Sequence, residues 1–178
     1  MANDTLQSLS NGAEKVFRAG KFAQAAELYS QALELCPPGD RLRAAELSNN
    51  RSVALLQAGD ASGALRAAEG TDVVFAQFGD TRRQALALGN QAAALDALGE
   101  TGKALDLYTR CSDLLKQAGD NESRAAVLKS ISALQVRTGR HLEALASMDA
   151  ALNNQPRRTV KERFLKKLLD IPFKMLRG

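Results

Sequence analysis

The chain has 178 residues, the size of one domain, and carries a net charge of +4 from 24 Lys and Arg against 20 Asp and Glu. Hydrophobic residues make up 45% but aromatics only 4%, and Ala and Leu outweigh the β-branched and aromatic residues of strands, so helix is expected. Two distant cysteines, Cys36 and Cys111, exclude a disulfide framework, and no run of about 18 apolar residues or signal-peptide pattern is present, so the expected setting is a reducing cytoplasm.

Glycine sets the predicted elements. Gly20, Gly59, Gly99 and Gly139 stand 39, 40 and 40 residues apart, and Gly39-Asp40, Gly79-Asp80 and Gly119-Asp120 interleave with them, again 40 apart. A helix-ending residue thus falls about every twenty residues, and each interval is expected to be one helix with its turn. The first helix pair is expected over about residues 4–38, ending at Pro37, and the second over about 40–78. The third follows over about 80–118 and the fourth over about 120–155. The Asp after each second-set glycine stands where a carboxylate caps the next helix. In the third pair Leu88, Ala92, Leu95 and Leu98 form one stripe, and Ala104, Leu107, Tyr108, Cys111, Leu114, Leu115 and Ala118 keep helical steps in the next helix. One helix cannot cover such a stripe, so neighbouring pairs must stack.

Small residues recur where two helices of a pair would touch. Seven positions before the markers stand Ala13, Ser52, Ala92 and Ser132, and five after them Ala25, Ala64, Ala104 and Ala144. Such side chains let helix axes approach to the lower end of the roughly 8–10 Å range. Nine after the glycine come Tyr29, Tyr108 and Met148, while the second pair has Ala68 there, with Leu65 or Val74 expected to compensate.

This pattern resembles the tetratricopeptide repeat family over about residues 5–156. "GKFAQAAELYSQALELCP" is its best copy, with Ala32 at a further family position that Ala151 also fills and that Thr71 and Cys111 do not; Pro37 and Pro156 close the first and fourth copies. The 40-residue period exceeds the family's usual 34 and is similar to the elongated repeats of the LGN and kinesin light chain type. The resemblance implies an all-α, right-handed α-solenoid of four helix-turn-helix repeats plus a C-terminal capping helix. It also implies a non-catalytic protein–protein interaction module or scaffold whose concave groove takes a peptide or helix.

Candidate groove residues follow from register. Asn11, Asn50, Asn90 and Ser130 all stand nine before a marker glycine. Mid-helix Asn costs roughly 0.5 kcal/mol relative to Ala, and a carboxamide can donate to and accept from an extended backbone at once. With repeats stepping by about 10 Å and a strand rising about 3.3 Å per residue, each Asn would meet every third peptide residue. The alternative is that these amides bond to the adjacent helix or to water. Glu46, Val53, Leu86, Ala93, Lys129 and Arg137 are the other expected lining residues. A narrower resemblance is to the co-chaperone repeats that clamp the C-terminal carboxylate of Hsp70 and Hsp90. Only Asn50 stands at its place there; Ser10, Glu14, Leu86 and Asn90 occupy the other clamp positions, and Glu14 would repel an acid.

Residues 157–178, "RRTVKERFLKKLLDIPFKMLRG", carry eight basic and two acidic residues, a net of +6 that leaves −2 for the rest of the chain. Thr159 and Glu162 form a capping-box pattern. Val160, Phe164, Leu168 and Ile171 make an apolar stripe, broadened by Leu165 and Leu169, before Pro172 breaks it. Two readings stand: a helix capping the stack, or a basic amphipathic helix on anionic membrane that makes the protein a peripheral adaptor. Its contacts would be Lys161, Arg163, Lys166, Lys167, Phe173 and Lys174. Nucleic acid is not favoured, since aromatic interleaving is missing, and self-association through the ends of the stack is a further option. No P-loop, dinucleotide fingerprint or H-E-x-x-H occurs, and His141 stands alone, so no enzyme, cofactor, metal or small-molecule substrate is expected.

Overall fold

The computed structural model describes residues 2–155, 159, 161–163, 165–167 and 169. Among them all regular structure is helical: α1 (Ala2–Arg18), α2 (Phe22–Glu34), α3 (Arg41–Gln57), α4 (Ala61–Ala68), α5 (Thr71–Gln77), α6 (Thr81–Ala97), α7 (Thr101–Gln117), α8 (Asn121–Arg137) and α9 (His141–Asn154). Residues 161–163, 165–167 and 169 are helical as well. The fold is an all-α helical repeat. Contacts divide it into two compact units, Met1–Leu107 and Tyr108–Gly178, with the boundary inside α7.

The marker glycines end helices through one backbone motif. Gly20 holds φ at +76°, its N–H bonds to the Phe17 carbonyl at 2.9 Å, and the next N–H, of Lys21, reaches back to Val16 at 3.0 Å. This is a Schellman closure, which satisfies carbonyls the helix end would otherwise orphan. The same pair of bonds closes the helices before Gly59, Gly79, Gly99, Gly119 and Gly139. Asp40, Asp60, Asp80 and Asp120 then cap the following helix, each carboxylate accepting from the N–H three residues on, at 2.8 to 3.1 Å. Gly39 differs from the others. Pro37 and Pro38 lack the N–H that would continue α2, which ends at Glu34, and the turn closes instead by Asp40 N–H donating to Pro37.

In the first unit α1 packs on α2, α2 on α3, and α3 on α4. Leu6, Ala13, Ala25, Tyr29, Ala32 and Leu47 are buried in one cluster, with Phe17 and Val16 against it. The small residues expected at helix contacts are all buried, from Ala13 and Ala25 to Ser132 and Ala144. In the second unit α8 packs on α9, and the Ser132 hydroxyl donates to the Ala144 carbonyl at 2.8 Å.

The interval from Gly59 to Gly79 departs from the expected single helix. It is broken between α4 and α5, where Gly70 turns the chain at φ +76°. Breaking the helix strips the Ala68 carbonyl of its ordinary donor, and two side chains replace it. The buried Thr71 hydroxyl donates to it at 2.7 Å and the Gln91 amide of α6 at 3.1 Å; the same amide also donates to Asp72 at 2.8 Å. The break sends α5 onto α3 and α6. Phe75 becomes fully buried with Ala45 and Ala87, with Leu42 and Val74 packed alongside. Leu65 and Val74, the two residues expected to compensate for Ala68, are both half-buried. Gln91→Ala removes a donor to a buried carbonyl and should lower stability by about 1–2 kcal/mol, read as a reduced urea midpoint at constant m-value.

Candidate functional site

A cleft of about 370 Å³ opens in the first unit, lined by Glu14, Phe17, Arg18, Tyr29, Asn50 and Val53. Helical spacing explains its walls. Glu14, Phe17 and Arg18 lie at i, i+3 and i+4 on α1, and Asn50 and Val53 at i and i+3 on α3. Tyr29 of α2 forms the floor and is only 4% exposed, so its phenol shows the cleft an edge and little more. Burial, and secondarily the nearby Glu14 charge, push that phenol above its ordinary value, so it stays protonated and able to donate. On the rim Arg18 and Glu14 pair at 3.5 Å, both largely exposed. Such a surface pair is worth little and can exchange for a partner's charges. The cleft thus offers an apolar centre, one amide and one charge of each sign.

The other predicted groove residues fall into different surroundings. Asn50 is exposed. Asn11 accepts from Gln7 at 2.8 Å along α1, and Asn90 donates to Asn49 of α3 at 2.9 Å. Glu46 is held by Arg83 of α6 at 2.8 Å and by Arg43 at 3.4 Å, while Arg43 also donates to Gln7 of α1 at 2.7 Å. One polar chain therefore ties α1, α3 and α6. Leu86 and Ala93 are half-buried on α6. In the second unit Ser130 is half-buried and Arg137 exposed, while Lys129 pairs with Glu162 at 2.8 Å.

That pair belongs to the C-terminal helix. The Thr159 N–H donates to Glu162 at 2.8 Å and the Glu162 N–H to the Thr159 hydroxyl at 3.2 Å, a reciprocal capping box. Lys166 pairs with Asp149 of α9, and Leu169 is buried. Lys161, Arg163 and Lys167 are exposed. Phe173 and Lys174 lie outside the described residues, as do Pro156, Val160, Phe164, Leu168, Ile171 and Pro172.

Sequence reading did not single out Phe17, Arg18, Arg43 or Arg83. Arg43 and Arg83 were findable, since they stand 40 residues apart in the same repeat phase. Phe17 and Arg18 carry no such recurrence. Among the described residues no group of three or more His, Cys, Asp or Glu side chains could hold a metal, and no helix is long and apolar enough to cross a membrane.

The fold is that of a tetratricopeptide-type repeat protein. It is similar to the nearly identical TPR-like repeats of a kinesin light chain-type protein from Podosopora anserina, with a TM-score of 0.72 at 15% identity over 97% of this chain and 93% of that one. It is also similar to BtubC (BKLC) from P. vanneervenii, with a TM-score of 0.68 at 15% identity over 91% of this chain and 76% of that one. No protein-family model and no curated protein matches the sequence.

The docking of the C-terminal helix carries a pH dependence. The Lys129 hydrogen bond, followed by those from Thr159, lowers the Glu162 carboxyl from 4.5 to about 2. A folded value below the unfolded one stabilises fully above about 4.5, and the contribution is lost as pH falls through about 2. Glu162→Gln should therefore raise pepsin cleavage of the C-terminal helix relative to the unsubstituted chain at pH 4.5. The difference should vanish towards pH 2, comparison at each pH cancelling the protease's own profile.

Proposed function

We propose that the chain is a non-catalytic interaction module that holds a peptide or helix of a partner protein along the face carrying the first helix of each repeat. The observation that carries this reading is the cleft between α1 and α3. Its size suits an apolar side chain seated on Phe17, Tyr29 and Val53, with the exposed Asn50 amide free to donate to or accept from the partner's backbone. In the second unit Ser130 and Arg137 of α8 stand at the corresponding register. Glu14 in the cleft wall opposes a carboxylate ligand, so the chaperone-type clamp is not the reading adopted here. Glu162, Lys166 and Leu169 are spent on contacts of the C-terminal helix within its unit, which favours a capping role for that helix over an adaptor on membrane.

Selection from a random-peptide display library tests this. Recovered peptides should compete with one another, and Asn50→Ala should weaken them by about fivefold, equivalent to about 1 kcal/mol. Val53→Asp should abolish binding while the helical circular dichroism is kept. A library that returns no peptide, or peptides indifferent to both substitutions, would falsify the proposal.

A further inference from the structure

A further pocket of the first unit, about 340 Å³, opens between α2 and α3 and shares no lining residue with the cleft described above. Ala26, Glu27 and Ser30 line it from α2, Arg51 and Leu55 from α3, and Asp60 from the turn that follows. Arg51 is half-buried, and its Nε is shut off from solvent with no hydrogen-bond partner among the described residues. A buried donor in that state is costly, and more so when the group is charged.

The other repeats show that the fold does not require an arginine here. Arg51 stands eight residues before Gly59, and the same phase holds Gln91 before Gly99 and Ile131 before Gly139. Ile131 is buried as ordinary core. Gln91 donates to the Ala68 carbonyl and to Asp72 of the preceding repeat, where the second helix of that repeat is broken. Arg51 shares its pocket with the corresponding helix of the first repeat, α2, which runs unbroken from Phe22 to Glu34. The α2 carbonyls beside the pocket have their helical donors, so they offer Arg51 nothing like the acceptor that Gln91 finds. The acceptor missing within the chain is one that a ligand can bring.

The neighbouring charges select the class of that ligand. The Gly63 N–H and the Ser62 hydroxyl both bond to one Asp60 oxygen, at 2.8 and 3.1 Å, which leaves the other oxygen able to accept. Glu27 and Asp60 together turn an anion away, whereas an ammonium would give Arg51 no acceptor. A carboxamide meets both needs, being neutral and able to accept and donate at once. The volume lies at the lower end of the range for ligand sites and suits one side chain. We propose that this pocket takes the carboxamide of a glutamine or asparagine from a partner protein. Its oxygen accepts from Arg51, its N–H groups donate to Asp60, and Ala26 and Leu55 pack against the stem.

Proton–nitrogen correlation NMR of the intact chain tests the site, with the N-acetyl methylamides of glutamine, asparagine, glutamate and lysine as probes. At least one carboxamide probe should shift the Arg51 Nε–H signal and the backbone amides around the pocket saturably, with a dissociation constant in the millimolar range. The glutamate and lysine probes should bind at least about tenfold more weakly. Asp60→Asn, which keeps a capping oxygen, should narrow the preference against glutamate severalfold. Arg51→Leu should abolish the shifts of the backbone amides without lowering the urea midpoint, since an apolar residue fills the same phase at Ile131. The carboxamide response should persist in Asn50→Ala, which separates it from binding at the cleft between α1 and α3. Four results overturn the proposal: no saturable shift with either carboxamide probe, glutamate or lysine bound as tightly, amide shifts that survive Arg51→Leu, or a urea midpoint that falls with that substitution and marks Arg51 as structural.

Discussion

The helix reversals at Gly20, Gly59, Gly79, Gly99, Gly119 and Gly139 depend on the same backbone event, an N–H that reaches five residues back across a glycine in the left-handed conformation. That reach is sterically available because glycine lacks a Cβ. It does two things at once. It satisfies the last carbonyls of one helix and aims the chain so that the next helix returns antiparallel along it. Repeating the event at fixed sequence intervals produces identical reversals, and identical reversals bring small residues of successive helices into contact. Ser132 bonding to the Ala144 carbonyl is that contact in its closest form. The aspartates that follow some of these turns work at the other side of the same junction, because the residue that leaves a Schellman turn is placed to cap the next helix.

The repeat architecture was therefore legible in the sequence, since it rests on local chemistry that recurs in phase. Three features were not. The break at Gly70 looks like one more glycine in the sequence. What accommodates the break is Gln91, a residue of α6 that donates to the stranded carbonyl. Gly39 was grouped with the true helix terminators, yet Pro37 and Pro38 had already ended α2 by removing donors. The fate of individual groove residues was hidden as well. Asn11, Asn50 and Asn90 share a register but not a surrounding, because the side chains that reach them, along the same helix or from the adjacent one, differ from repeat to repeat. Gln7 takes up Asn11 and Asn49 takes up Asn90. Lys129 could be placed on α8 from periodicity, but its partner Glu162 lies 33 residues on, in a segment outside the repeat pattern.

The first unit also shows how charge is used between repeats. Arg43 and Arg83 occupy the same phase, and Glu46 lies between them. Glu46 is about a quarter exposed, so the pairs are screened less than fully solvated ones while the ions keep some hydration. Gln7 extends the chain to α1. These contacts stand beside the apolar cluster of small residues and fix the relative sliding of α1, α3 and α6, which alanine-rich packing alone would leave loosely specified. The cleft lined by Phe17, Tyr29 and Val53 inherits its shape from that registration.

The broken helix of the second repeat limits how far this chain can be treated as a set of exchangeable parts. Excising that repeat and inserting a duplicate of the third would put an uninterrupted coil where α4 and α5 now diverge. Gln91 would then face a helix whose carbonyls already have their partners, and the pocket now filled by Phe75 would have no ring to fill it. The repeats share a rhythm, but α4, α5 and α6 are joined by contacts that the rhythm alone does not provide.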